Sequence, residues 1–167
     1  TYTMTVNSGG EVYTASSTMQ DPLIMDSITV VGEETPFRDE LFYEYSVYFQ
    51  DNPAQEDFAR FRLFINDVLQ VGSFRYDDRL TDGNYIDFNR FFFERKEDIV
   101  SGDIVRIEML TIDKLTFEYF DTLRRVIASG RGPFSSTSPS NPITNWSNDA
   151  LGYFSVNSKD VKSAVID

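Results

Sequence analysis

The sequence contains neither cysteine nor histidine among its 167 residues. Their absence excludes disulfides, thiol nucleophiles, zinc sites built from Cys and His, and Ser-His-Asp triads. The chain also lacks any apolar run near the roughly 18 residues that a membrane-spanning helix requires. We therefore expect a chain that has no transmembrane segment and is not an enzyme.

Positive charge is scarce, because Lys+Arg 15 stand against Asp+Glu 27, which gives a formal net charge of -12. Such a charge repels phosphate backbones, and nucleic-acid binding needs a basic surface. Anionic membrane surfaces are disfavoured for the same reason. Nucleic acid is thus excluded as a partner, and the simplest role of the acidic residues is solubility.

The N-terminus carries no signal-peptide pattern, and the chain begins at Thr1. We expect a processed chain or a piece of a longer one, with any lipid anchor upstream. The length suits a single domain over residues 1–167, and 41% hydrophobic residues suit a globular core. Aromatic residues reach 15%, and aromatic side chains favour β-strands.

Apolar and polar residues alternate with a period of two along much of the chain, which predicts strands. Shared faces are formed by Tyr43, Tyr45, Val47 and Phe49 in residues 41–50, and by Ala59, Phe61, Leu63 and Ile65 in residues 58–65. Asn66-Asp67 predicts a hairpin to a strand over 68–76. Runs at 2–6, 12–16, 24–31, 85–94 and 104–112 bring the total to about eight strands. The fold class is mainly β, either a two-sheet β-sandwich or a distorted β-barrel.

One segment has helical rather than strand periodicity. Leu115, Tyr119, Leu123 and Ile127 recur every four residues, which predicts a helix over 114–128. Asp113 is suited to the N-cap of this helix. We expect its apolar stripe to pack on a sheet.

The C-terminal part contains a long segment rich in Pro, Ser and Asn. Residues 130–148 are predicted to form a loop, and loops of this length are usually functional or disordered. Residues 152–156 suggest a short final strand. Residues 159–167 are predicted to be a flexible tail.

An acidic stretch offers a candidate metal site at Asp77, Asp78, Asp82 and Asp87. Calcium takes several oxygen ligands at close range, and a loop containing Gly83 and Asn84 can supply them. The EF-hand template is not matched, because Leu80 and Asn89 occupy two of its ligand positions. The alternative is a solvated loop between strands.

A second acidic stretch runs from Asp51 through Glu56 to Asp57. It could bind a cation or contact a partner, and a plain acidic loop is the alternative. A carboxylate-dependent glycoside hydrolase would need two facing acids across a cleft. With Asp+Glu 27, some pair at a suitable spacing is expected by chance.

Trp146 lies in the long loop, and Tyr153 follows it closely. Aromatic rings in a loop can stack on a sugar or anchor a protein interface. Trp146 and Tyr153 are therefore candidate ligand-binding residues. The alternative is that Trp146 fixes the loop onto a sheet.

Several short motifs in the second half of the chain follow one another in a characteristic order. They are GDIVRIE at 102–108, TID at 111–113, FEYFDTL at 117–123, NP at 141–142 and ALGYF at 150–154. This order resembles the C-terminal portion of a Bacteroidetes outer-membrane lipoprotein family, domain-of-unknown-function family 4249. Members of that family are longer, with a signal peptide, a lipidated Cys and an N-terminal β-domain.

The resemblance implies a location in the cell envelope, either anchored to the outer membrane or extracellular. It also implies a protein partner in the outer membrane, such as a TonB-dependent receptor. No catalytic residue is carried over, and Gly102, Asp103, Asp113, Gly152 and Tyr153 are expected to determine the fold. The leading hypothesis is a non-catalytic binding module; the alternatives are a calcium-stabilised carbohydrate-binding module and, more remotely, a small carboxylate-dependent hydrolase.

Overall fold

A computed structural model describes residues 1–34, 41–53, 55–72, 74–89, 91, 99–129 and 141–166. Within these ranges the chain forms ten strands and one helix, so the predicted mainly-β class is confirmed. The elements are β1 (Tyr2–Ser8), β2 (Glu11–Ser17), β3 (Met25–Glu34), β4 (Leu41–Gln50), β5 (Phe58–Ile65), β6 (Val68–Leu69), β7 (Phe74–Asp77), β8 (Tyr85–Phe88), β9 (Ile104–Thr111), α1 (Lys114–Ser129) and β10 (Ser158–Val165).

The chain divides into two compact units. The first unit comprises Thr1–Asp21 and Ile112–Ser158, and the second comprises Pro22–Thr111 and Lys159–Asp167. The sequence predicted one domain over 1–167. Local patterns carry no sign of this division, because each unit joins stretches that are far apart along the chain.

The second unit contains two antiparallel sheets. One has the strand order β3-β4-β8, and the other has the order β10-β9-β5-β6, with β7 also paired to β5. Their inner faces meet in one hydrophobic core, to which β4 contributes Val47 and Phe49, β5 contributes Phe61 and Leu63, and β9 contributes Ile107 and Met109. This arrangement is the predicted two-sheet sandwich, and in the described ranges neither sheet closes into a barrel.

Aromatic rings fill much of this core. The rings of Phe61 and Phe88 stack with their centroids 4.6 Å apart. Phe49 meets Tyr76 edge-on at 5.1 Å, and Phe91 meets Phe88 edge-on at 5.3 Å. Stacked and edge-to-face pairs are the arrangements that the ring quadrupole favours, so these contacts add to the stabilisation from burial.

The predicted hairpin between β5 and the following strand is confirmed. Asn66 and Asp67 have φ values of 48° and 64°, the two left-handed residues that a type I′ hairpin turn requires. The partner strand predicted over 68–76 is divided into two strands, β6 and β7. The predicted strand over 85–94 ends as β8 at Phe88, and residues 90 and 92–94 lie outside the described ranges.

The first unit is built on the hairpin of β1 and β2. The register runs from Tyr2↔Ser17 to Ser8↔Glu11, around a turn in which Gly9 and Gly10 both have positive φ. The outer edge of β2 is met by the segment around Trp146. Ala15 forms an isolated antiparallel bridge to Trp146, and the Ser147 N–H donates to the Thr14 carbonyl at 2.8 Å.

Helix α1 confirms the predicted helix over 114–128 and its predicted cap at Asp113. Oδ1 of Asp113 accepts hydrogen bonds from the Thr116 N–H at 2.7 Å and from the Thr116 hydroxyl at 2.6 Å. Oδ2 accepts from the Ser17 hydroxyl at 2.7 Å and from the Thr18 N–H at 3.1 Å. One buried carboxylate therefore caps the helix and ties it to the end of β2.

The apolar stripe of the helix is buried only in part. Tyr119 packs against Tyr153 with ring centroids 4.9 Å apart. Leu115 and Ile127, at the two ends of the stripe, are exposed.

Two predictions for the C-terminal part are wrong. Residues 152–156, predicted as a short final strand, form no strand, and the predicted flexible tail over 159–167 instead supplies most of β10, which pairs with β9. Lys159 contacts Glu108 at 3.3 Å, and Asp160 accepts a hydrogen bond from the Met25 N–H at 2.8 Å. These partners are distant in sequence, so local composition could not reveal the strand. Of the predicted loop over 130–148, residues 130–140 lie outside the described ranges.

The core of the second unit predicts a large penalty for shortening Phe61. We expect Phe61→Ala to lower the free energy of unfolding by about 3–5 kcal/mol, because it removes a buried ring and leaves a cavity. Urea unfolding followed by circular dichroism measures the change. Val71→Ala, at an almost fully exposed position, is the control and should change stability by less than about 0.5 kcal/mol. A loss below about 1 kcal/mol for Phe61→Ala would contradict this description of the core.

The capping carboxylate predicts a stability term that depends on pH. Burial alone would raise the pKa of Asp113, but hydrogen bonds from Thr116, Ser17 and Thr18 outweigh it and lower the pKa below 3.8. A lowered pKa means that the stabilisation is present above pH 3.8 and is lost as the pH falls through the folded-state pKa. Near neutral pH, Asp113→Asn should therefore cost about 2 kcal/mol, and the difference from wild type should shrink in acid.

The fluorescence of Trp146, which lies in the same unit, reports this unfolding. Asp149→Asn makes the same chemical change at an exposed turn and serves as the control. An equal effect of the two substitutions, or a penalty for Asp113→Asn that does not vary with pH, would refute the role assigned to Asp113.

Candidate functional site

Three carboxylates from two loops, the β4–β5 connection and the loop after β7, meet in the second unit. Asp51 follows β4, Asp57 precedes β5 and Asp78 follows β7. The antiparallel pairing of β5 with β7 places Phe58 opposite Asp77, so the residues just beyond these two positions become neighbours. We call Asp51, Asp57 and Asp78 the carboxylate trio.

The trio is both close-packed and buried. One carboxylate oxygen from each residue lies within 4.8 Å of the others, and the residues are only 0%, 1% and 3% exposed. Burying an ionised carboxylate is costly unless hydrogen bonds, a cation or a proton compensates for the lost hydration. The local structure must therefore provide such compensation.

Hydrogen-bond donors surround the trio. Asp51 accepts hydrogen bonds from the Gly83 N–H at 2.8 Å and from the Tyr76 hydroxyl at 3.0 Å. Asp57 accepts from the Asn52 N–H at 3.2 Å and from the Gln55 side-chain amide at 2.5 Å. Asp78 accepts from the Asp57 N–H at 2.7 Å. Two of the three carboxylates thus receive a donor on each oxygen. These bonds fix the orientation of the side chains.

Gly83 can donate to Asp51 only because it lacks a side chain. Its φ of 73 lies in the left-handed region that favours glycine. A Cβ at this position would lie 2.9 Å from Cβ of Pro53, which is too close. The loop after β7 can therefore fold tightly against the loop after β4.

The pKa values of two trio members are raised. For Asp51, burial and the negative charges of Asp78 and Asp82 outweigh the bonds from Gly83 and Tyr76. For Asp57, burial and the charges of Asp51 and Asp78 outweigh the bonds from Gln55 and Asn52. Both carboxyl groups consequently favour the protonated form more than an exposed aspartate does.

The trio can lower its electrostatic cost in two ways: it can take up a proton, or its oxygens can coordinate a hard cation such as calcium, which prefers carboxylate ligands. The residues of the described chain suited to hold such an ion are therefore Asp51, Asp57 and Asp78.

Of the four metal ligands predicted from sequence, only Asp78 belongs to the trio. Asp77 ends β7 and forms an ion pair with Arg79 at 2.7 Å. Asp82 lies exposed in the following loop, and Asp87 is exposed on β8 opposite Tyr48. The two acidic stretches that the sequence predicts as separate sites thus contribute to one cluster.

Sequence reasoning missed this combination, although one signal pointed to it. The Asn66-Asp67 hairpin makes the following strand pair with β5. At the end of the hairpin away from its turn, this pairing brings Asp57 close to Asp77 and Asp78. The sequence placed Asp51 in the same acidic stretch as Asp57, but its approach to Asp78 had no such signal, because Asp51 follows β4, a strand of the other sheet.

The two predicted ligand-binding aromatics lie in the first unit. Trp146 is half-buried, forms the bridge to Ala15 and has its ring centroid 6.5 Å from that of Phe154. Tyr153 packs on Tyr119 and donates a long hydrogen bond of 3.5 Å to Asp113. Burial is the main cause that raises the pKa of Tyr153 to about 12. Both side chains thus have contacts within the unit.

A family model supports the resemblance noted from the sequence. The model of DUF4249, a domain of unknown function, matches residues 1–163. The chain therefore belongs to this family. No curated protein and no solved structure matches the chain. Among the described residues, no helix combines the length and apolar character needed to cross a membrane.

The trio predicts that acid stabilises this part of the chain. Asp51 and Asp57 have folded-state pKa values above the ordinary 3.8. Their protonation therefore stabilises the fold; this stabilisation is complete below pH 3.8 and is lost as the pH rises through the raised pKa values. Asp57→Asn removes one charge and retains the shape. We expect it to increase stability at pH 7 by about 1 kcal/mol relative to wild type, with a smaller gain at pH 4.

Thermal unfolding in chelator and in calcium tests the calcium hypothesis in the same experiment. Calcium bound by the trio should raise the melting temperature of wild type at pH 7, and Asp57→Asn should weaken that effect. Asp87→Asn, at an exposed position of the sequence-predicted set, is the matched control. If calcium raised the melting temperatures of the two variants equally, the role of the trio would be contradicted. If the calcium effect were lost in Asp87→Asn alone, the metal ligands predicted from the sequence, Asp77, Asp78, Asp82 and Asp87, would be favoured instead.

Proposed function

We propose that this domain is a non-catalytic binding module of a bacterial cell-envelope lipoprotein, and that it acts by contacting a protein partner. The class of partner implied by the family resemblance is a TonB-dependent receptor of the outer membrane. The observation that carries the proposal is the apolar surface of the β1–β2 hairpin.

Apolar side chains of the hairpin face solvent instead of a core. Tyr2 is 54% exposed, Met4 44% and Val6 38%, and all three lie on one face of β1. Val12 of β2 is 53% exposed on the opposite face, since it pairs with Asn7. Exposed apolar surface of this kind is typical of sites that bind other proteins.

The hairpin is also supported on one side. Its β2 strand ends beside Asp113, whose carboxylate binds Ser17 and Thr18, and the Trp146 segment lies along its outer edge. An isolated two-stranded hairpin is at best marginally stable in water, so this support gives the exposed strand a defined shape. A preformed apolar surface binds a partner with a smaller ordering penalty.

The structure offers less support for a carbohydrate-binding module. A sugar platform needs a free aromatic face, but Tyr153 packs on Tyr119 and Trp146 is close to Phe154. A hydrolase is supported least, since its acids must reach a sugar ring across a cleft. The carboxylate trio is almost wholly buried.

Site-specific photo-crosslinking in the source bacterium tests the proposal. A photoreactive residue at Val6 of the full-length protein should give a discrete crosslinked product with one envelope protein. The same residue at Leu80, another exposed apolar position, is the control and should give none. Mass spectrometry then tests whether the product contains a TonB-dependent receptor.

Identical crosslinking from Val6 and Leu80 would overturn the proposal. A glycan that raises the melting temperature of wild type, but not of Trp146→Ala, would favour the carbohydrate-binding alternative.

A further inference from the structure

Strand β1 is paired along one edge, and its other edge is open among the residues that the structure describes. It pairs with β2 over all seven residues, and within the described ranges no other strand pairs with it. In an antiparallel pair, alternate residues direct their N–H and C=O groups away from the partner strand. The open edge of β1 therefore presents a row of backbone donors and acceptors.

The other outer strands of the described sheets are short or charged. β6, β7 and β8 have two to four residues. β3 carries Asp26, and β10 carries Lys159, Asp160 and Lys162. Short length and charged side chains are the usual means by which proteins prevent an edge from pairing with another chain.

β1 has neither protection. Its sequence, YTMTVNS, contains no charged residue and no proline, and every residue of the strand is exposed. The hairpin's other edge is covered in part, because Ala15 is bridged to Trp146 and the Thr14 N–H donates to the Ser147 hydroxyl at 2.9 Å. Among the described residues, the β2 edge of this hairpin is thus partly covered, and the uncharged β1 edge is open.

The open edge determines the conformation of what can bind there. Only another extended backbone can pair with a row of alternating N–H and C=O groups. Tyr2, Met4 and Val6 are spaced by two, so a partner strand would place apolar residues at every second position beside them.

Charge favours a different protein over a second copy of this chain. Each copy carries a formal net charge of -12, and like charges oppose association. A segment with lysine or arginine at its ends would instead be attracted to the domain.

We propose that β1 is an acceptor strand, to which a partner protein adds an extended segment with alternating apolar residues and basic ends. This inference rests on the proposed function and specifies how the hairpin engages its partner. The added segment continues the β1–β2 sheet by main-chain hydrogen bonds, and the alternating side chains provide selectivity.

Selection from random peptides displayed on phage tests the proposal on the purified chain. The enriched peptides should share apolar residues at every second position and basic residues at their ends. Fluorescence anisotropy of labelled copies should show binding that Met4→Lys weakens at least about tenfold, because a charged side chain on the edge strand opposes pairing. Val71→Lys adds the same charge at an exposed position outside the hairpin and should bind like wild type.

Circular dichroism and thermal unfolding confirm that both variants fold, since Met4 and Val71 are exposed. Selection that yields no peptide, yields peptides with helical spacing, or yields peptides that bind Met4→Lys normally would overturn strand addition. If crosslinking from Val6 still captured one partner, the proposed function would stand and only the mode of binding would fail. Light scattering that showed a dimer of wild type but not of Met4→Lys would replace the partner by a second copy and overturn the proposal.

Discussion

The position of Tyr76 links the aromatic core of the second unit to its buried charges. The ring meets Phe49 edge-on at 5.1 Å, and the hydroxyl donates to Asp51 at 3.0 Å and contacts Thr81 at 2.9 Å. Burial raises the pKa of Tyr76, so the hydroxyl remains a neutral donor. The carboxylates can be buried because packing between the two sheets holds such donors in place.

The first unit is organised by a carboxylate in a different role. Asp113 accepts bonds from Thr116, Ser17 and Thr18, so the helix cap and the end of β2 share one acceptor. This anchors the inner strand of the hairpin, while β1 is held by β2 alone among the described strands. Among the described strands, the same unit thus contains one anchored strand and one with an open edge, and strand addition uses such an edge.

Features with local signals could be predicted from the sequence. Helix α1 follows from a period of four and a capping aspartate, and the turn at Asn66-Asp67 follows from two residues that tolerate positive φ. Features that depend on distant pairing could not be predicted. β10 has a polar sequence and is defined by its pairing with β9, and the trio unites loops that only the strand order brings together. Acidic residues were therefore recognised as candidates, but their grouping was not.

Amide hydrogen exchange of the free domain, resolved by residue with NMR, tests the open edge of β1 most directly. We expect exchange rates to alternate along Tyr2–Ser8, with slow exchange at amides bonded to β2 and much faster exchange at the amides between them. In β2, the Thr14 amide, which donates to Ser147, should be protected. Uniform slow exchange along β1 would show that its second edge is already paired and would contradict the assignment of β1 as an acceptor strand.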